Sequence, residues 1–376
     1  MILKLPPLGG RALKYGYSNA RVRAMKGLLL KQAFLEEAIR VGSVEAMAEL
    51  LQRTGYKSEL AAASVSYKGS MLIEMAASRN FSRNVRKLVR ITPESDRKAL
   101  QALLVRWDLM NLKTLLNARR LGKSYDEIKP YLLEVGGLGE DDFRRILKAD
   151  GRAVEREIRS TGLWQWMRRT SENAALDLKG MSGSSGGRGA AGDSRIESVV
   201  DSYIYIIMDN ALAEVGGKET ADIRKTLRRE ADAKNAMIIE RLKRHNIAAD
   251  RIRKSLIRGG TMNAQMTDKL IEAKDQSAML AILKQRFPRL DIRGEKGERG
   301  EKGGDGRASL TELEVALEKT IAAQKVGAFG RSILSAGVIF GFLLLKEEEL
   351  NNLRKIAKGK EFRMSEADVR EMLVVV

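Results

Sequence analysis

The chain of 376 residues has no cysteine, one histidine, five prolines and only 5% aromatic residues. Without cysteine there is no disulfide, no thiolate nucleophile, no CxxC redox pair and no Cys-ligated zinc. A His-based metal cage or a Ser-His-Asp relay would rest on His245 alone. Proline at about 1.3%, against a usual ~5%, leaves few helix breakers. The longest uncharged apolar stretch, Ser332 to Leu345, holds 14 residues. As a helix it reaches ~21 Å, short of the ~30 Å of a bilayer core, and it reads as a buried core helix. Met1–Leu8 has neither a long apolar h-region nor a small-residue cleavage site.

What is present is apolar residue at 44%, ordinary for a globular protein, and 68 Lys+Arg against 49 Asp+Glu, a net charge of +19. The abundance of Ala, Leu, Lys, Arg and Glu predicts long helices and an all-α fold. Two segments interrupt that texture. Lys179–Arg195 and Gly294–Gly306 together hold 12 of the 34 glycines. The second has glycine at every third position, but four triplets without proline do not hold a triple helix. Both read as solvated loops. Tyr203–Met208 has the composition of a buried strand, yet its flanks read as helix.

Internal repetition is the strongest signal. Alignment on Asn111, Asn235 and Asn352 brings three segments together without gaps. Leu103, Leu227 and Leu344 stand eight residues earlier, and the acids Asp108, Asp232 and Glu349 three earlier. Leu115, Ile239 and Ile356 stand four later, and Leu132, Leu256 and Leu373 twenty-one later. A second, shorter module opens at Gly27-Leu28, at Gly137-Leu138 and, more weakly, at Gly260. Short and Asn modules alternate with a pitch of roughly 110–125 residues, too long for a solenoid and suited to three related helical domains. The boundaries expected are 1–130, 131–255 (insertion about 179–195) and 256–376 (insertion about 293–307).

Capping signals fall at Thr92-Pro93-Glu94, at Ser124 with Glu127 and at Ser365 with Asp368; in the middle copy Asn246 is the expected cap. Helical spacing puts each acid and its asparagine on neighbouring turns beside the apolar stripe. Two readings follow for Asp108, Asn111, Asp232, Asn235, Glu349 and Asn352. Either they face a common partner or axis, or each bonds an adjacent helix or loop and fixes packing; the second is preferred, since repetition is what packing requires. Glu347, Glu348 and Glu349 point in different directions on a helix, so they make no acid–base pair. His245 reads as a surface residue near a helix end, and no nucleotide or hydrolase motif occurs in a suitable context. No catalytic, cofactor or metal site is expected. Charge of +19 admits a nucleic acid, an anionic membrane surface or an acidic protein as partner. Trp164 and Trp166 with Arg168 and Arg169 resemble a stacking platform, but no nucleic-acid-binding motif accompanies them.

Three stretches resemble the C subunit of V/A-type ATP synthases, related to the d subunit of vacuolar ATPases. They are Tyr15-x-Tyr17-x-Asn19-Ala20-Arg21-Val22-Arg23, Trp107-Asp108-x-x-Asn111-Leu112-Lys113, and Lys346-Glu347-x-Glu349-x-x-Asn352-Leu353-Arg354. The resemblance covers about 15–160 and 325–373, with the glycine-rich segments as insertions. It implies an all-helical funnel of three similar domains about a pseudo-threefold axis. It further implies a non-catalytic rotor adaptor, one copy per complex, peripheral on the cytoplasmic face of the cell membrane. Such an adaptor receives the central shaft (subunits D and F) and sits on the proteolipid ring near an anionic membrane surface, with no cofactor and no nucleic acid. The alternative is a basic helical nucleic-acid-binding protein, and a third reading is a soluble helical scaffold.

Overall fold

A computed structural model describes residues 10–150, 152–173, 177, 190–292, 310–329 and 334–374. Among them, six helices of twenty residues or more carry the architecture: α5 (Gly69–Ile91), α6 (Glu94–Arg120), α11 (Ala190–Val215), α12 (Lys218–Arg244), α16 (Leu310–Phe329) and α17 (Ala336–Glu361). No strand occurs among the described residues, and Tyr203–Met208 lies inside α11. The three asparagines sit on α6, α12 and α17. Each of these helices packs chiefly against the first helix of another pair: α6 on α11, α12 on α16, and α17 back on α5. The packing is antiparallel. Lys98 pairs with Glu214 and Lys113 with Asp201, while Arg354 pairs with Glu74 (2.6 Å) and Lys358 donates to Ser70. The last long helix thus closes on the first, and the three pairs form a ring.

Short helices fill the rest. The N-terminal arm α1 (Gly10–Lys26) lies on α17 and α5. Then come α2 (Gln32–Arg40), α3 (Val44–Gln52) and α4 (Lys57–Ser64), followed after α6 by α7 (Tyr125–Ile128) and a 3₁₀ turn at Lys129–Tyr131. The middle set is α8 (Glu140–Lys148), α9 (Arg152–Arg159) and α10 (Gly162–Thr170); α13 (Ala249–Lys254), α14 (Ala264–Glu272) and α15 (Gln276–Arg286) follow α12, and α18 (Glu366–Met372) follows α17. The large core includes Trp107, wholly buried against Phe81 with ring centroids 5.1 Å apart. Burial of rings from α5 and α6 against each other ties together two helices joined by only a short turn.

Several local expectations need correction. Ala190–Arg195, read as part of a glycine-rich loop, form the first turns of α11; the rest of that loop and all of Gly294–Gly306 lie outside the described residues. Thr92 does not cap α6. Its hydroxyl donates back to the Leu88 carbonyl, and Pro93 holds the N-cap position. Asn246 is no cap for α13, where Ala248 takes that place; Asn246 instead adopts φ 54° just past α12. Gly122 (φ 64°) after α6 and Arg363 (φ 54°) after α17 do the same, each eleven residues beyond its asparagine. In all three copies the next amide closes a six-residue loop: Lys123 N–H to Ala118, Ile247 to Leu242 and Met364 to Gly359. This is the left-handed helix end that bonds otherwise orphaned carbonyls and turns the chain sharply.

The register of the short modules also differs. Lys31, Gly139 and Asn263 are the N-caps of α2, α8 and α14. Leu30 therefore stands with Leu138 and Met262, so the Gly27-Leu28 alignment with Gly137-Leu138 is two residues off.

Candidate functional site

The six singled-out polar residues are all buried. Each asparagine clamps one backbone residue twenty-two positions ahead. Asn111 Nδ2 donates to the Leu133 carbonyl (2.7 Å) and its Oδ1 accepts from Leu133 N–H (2.9 Å). Asn235 does the same with Ile257 (2.9 and 2.7 Å), and Asn352 with Val374 (2.7 and 3.1 Å). A primary amide, with a donor and an acceptor side by side, is the side chain that satisfies both the N–H and the carbonyl of one buried residue at once.

The acids hold the next stretch of chain. Asp108 accepts from Gly137 and Leu138 N–H (2.6 and 3.1 Å), and Asp232 from Thr261 and Met262 N–H (2.7 and 3.0 Å) and from Arg286. The approach is close enough that a Cβ at Gly136 or Gly260 would overlap the carboxylate, which explains glycine there. Glu349 is served from the other end of the chain. It accepts from Leu30 N–H (2.5 Å) and the Tyr56 hydroxyl (2.5 Å) and is paired with Lys346. The N-terminal short module therefore gives Glu349 what the loop following each helix gives the acid in the other two copies. Burial pushes the Asp108 carboxyl up to about 6, although the two amides oppose the shift. Burial likewise lowers the Lys346 ammonium, against the attraction of Glu349.

None of the acids and asparagines lines the cavity described below, and no two from different copies bond each other. The residues that meet across copies stand five positions before each asparagine: Arg106, Glu230 and Glu347. Arg106 contacts Glu230 at 3.1 Å and Glu347 at 3.4 Å, with all three buried or nearly so. Tyr205 donates to Glu230 (3.0 Å). Burial disfavours the Arg106 charge, but Glu347 and Glu230 outweigh it and hold the guanidinium firmly protonated. Residue identity between copies does not reveal this column, which holds one cation and two anions. At a point where three copies converge, identical charges would repel, so equivalence there is expressed as complementarity.

From this contact a cavity of about 820 Å³ runs along α12 as far as His245, between α6, α16 and α17. Its wall combines apolar Met237, Ile238, Leu317 and Ile321 with charges such as Lys234 and Arg241. Its volume is that of a small-molecule pocket, but the many charges in its lining depart from the mostly apolar wall such a pocket has.

Residues 18–372 match the family model described as ATP synthase (C/AC39) subunit. The chain belongs to this family. It is 25% identical over 367 residues to the C subunit of the A-type ATP synthase from Methanosarcina acetivorans, covering 96% of this chain and 93% of the relative. Identity is 27% over 363 residues to the corresponding protein of Methanosarcina barkeri, with 96% and 93% covered. For that of Methanocaldococcus jannaschii it is 25% over 384 residues, with 100% and 88% covered. Members of the C/AC39 family are structural subunits of the synthase, and this chain is a structural subunit rather than an enzyme. Among the described residues no helix is long and apolar enough to cross a membrane.

Proposed function

We propose that the chain is the central-stalk rotor adaptor of a V/A-type ATP synthase. In this reading three helical domains, at about 1–130, 131–255 and 256–376, form a funnel about a pseudo-threefold axis. The shaft subunits D and F enter the cavity, and the opposite end rests on the proteolipid ring at the cytoplasmic face of the membrane. One copy passes torque between ATP turnover and ion movement. The observation that supports it best is the Arg106–Glu230–Glu347 contact, which joins equivalent points of three helices next to a cavity that extends along them. A joint that bears torque needs its units fixed to one another, and a buried three-way ion contact with a ring of helix pairs supplies this.

The test is reconstitution of the synthase in membranes with and without the chain. ATP turnover by the head persists in both, because no hydrolytic residue is contributed here. Ion transport requires the chain. Normal ion transport in its complete absence would falsify the adaptor role.

A further inference from the structure

The three asparagine helices end alike, each with an exposed side chain at its tip. Ten residues past each asparagine stand Leu121, His245 and Phe362, each at the C-cap of its helix. Leu121 is 66% and Phe362 72% exposed, and His245 is exposed too. Large apolar side chains largely exposed at two equivalent places, one of them with Lys358 over its ring, call for an explanation that a single exposed leucine does not. The sharp left-handed turn that follows each one, at Gly122, Asn246 and Arg363, holds it at the tip. All three tips lie at the same end of the ring. The cavity, floored at Arg106 and Glu230, runs toward that end and reaches His245. Lys113 and Lys355 line it on α6 and α17. At 1.5 Å per residue the tips stand about 10–12 Å farther along those helices.

The tips are also basic. Segments 119–123, 243–247 and 360–364 hold seven Lys or Arg against the single Glu361. Three of the seven pair with acids outside these segments, Arg119 with Asp150, Lys123 with Glu127 and Arg244 with Glu240, and Lys243 and Lys360 donate to backbone carbonyls, so the tips keep a net positive charge smaller than the count. Helix C-termini favour cations, which accounts for some of this. Exposed apolar groups on a net-positive end beyond a cavity are suited to a protein end that carries apolar side chains flanked by carboxylates.

We infer that Leu121, His245 and Phe362 are a three-point grip on the element that enters the cavity, a helical end with apolar side chains and acidic flanks. This rests on the adaptor reading and adds which residues hold the shaft and what chemistry the shaft must present. Leu121 and Phe362 seat in apolar contacts, while His245 makes the weaker third contact and the surrounding Lys and Arg steer approach.

The test measures affinity of the full chain for the purified complex of shaft subunits D and F. Leu121→Asp and Phe362→Asp each weaken binding at least tenfold with an unchanged melting temperature, His245→Asp does so less, and Phe362→Leu retains binding. Leu13→Asp is the control. It is 72% exposed but lies at the opposite end, where the neighbouring Lys14 pairs with Asp96 near the start of α6, and it leaves affinity unchanged. Raising salt from 0.1 to 1 M lowers affinity as the screening length contracts from ~10 to ~3 Å. Full affinity in both aspartate variants overturns the grip while leaving the adaptor role intact. A wild-type chain that does not bind the shaft overturns both.

Discussion

At the scale of single residues, the repeated polar groups act through backbone they satisfy rather than through solvent or one another. Asn235→Ala removes both bonds to Ile257 and leaves its buried N–H and carbonyl without partners. The expected loss is about 2–4 kcal/mol, read from denaturant midpoints, and a loss under about 0.5 kcal/mol would show that water or a shifted loop replaces the amide. Asp108 gives a pH signature. Its folded carboxyl titrates at about 6 against 3.8 ordinarily, so between those values the folded chain holds a proton that the unfolded chain releases. Its contribution is complete below pH ~3.8 and is lost as pH rises through about 6, a span of about 3 kcal/mol. Asp108→Asn should flatten the stability–pH curve in that window; an unchanged slope would rule out titration there. The chemical partners of these side chains were not legible in the sequence. Spacing shows that Asn111, Asn235 and Asn352 are equivalent, but a residue twenty-two positions away becomes a partner only through the turn between.

At the scale of elements, that turn is the same in all three copies while its residue type is not. Gly122, Asn246 and Arg363 share a left-handed backbone. Glycine takes it freely and asparagine tolerates it, but arginine crowds its Cβ against backbone at a cost of about 1–2 kcal/mol. Arg363→Gly relieves that strain and gives back about 0.5–1 kcal/mol through the greater freedom of the unfolded chain. A net gain of roughly 0.5–1 kcal/mol is expected in chemical denaturation, whereas Gly122→Ala should lose a comparable amount. A destabilised Arg363→Gly would mean that the arginine side chain makes a contact worth more than the strain. Helix existence was readable from composition, and the cap at Ser124 from its pairing with Glu127. The middle cap and the two-residue register shift were not. Gly27 resembles Gly137 in type, yet α2 and α8 start from Lys31 and Gly139, and it is cap position rather than residue identity that sets equivalence.

For the whole molecule, sequence repetition indicates three copies but not how they close. Closure comes from α17 returning to α5 and from the N-terminal module meeting Glu349, both contacts between distant parts of the chain. The contact that joins α6, α12 and α17 through equivalent positions is ionic. Arg106 is held by two carboxylates in a buried setting, and its Nη1 finds no hydrogen bond. Such a group is weak evidence for stability in itself, since burying three charges costs much of what their attraction returns. Removing one member is different. Arg106→Met leaves Glu230 and Glu347 buried without their shared cation, an expected loss of about 3–5 kcal/mol. Because the lesion touches one helix of each pair, it should lower the thermal transition of the molecule as a whole and not release a single pair early. Neutralising the two acids removes the cause: Arg106→Met with Glu230→Gln and Glu347→Gln should recover most of the loss. Calorimetry of wild type, single and triple variants decides it. If the triple variant is no more stable than Arg106→Met, the methylene packing of the arginine holds the three helices together, and not its charge.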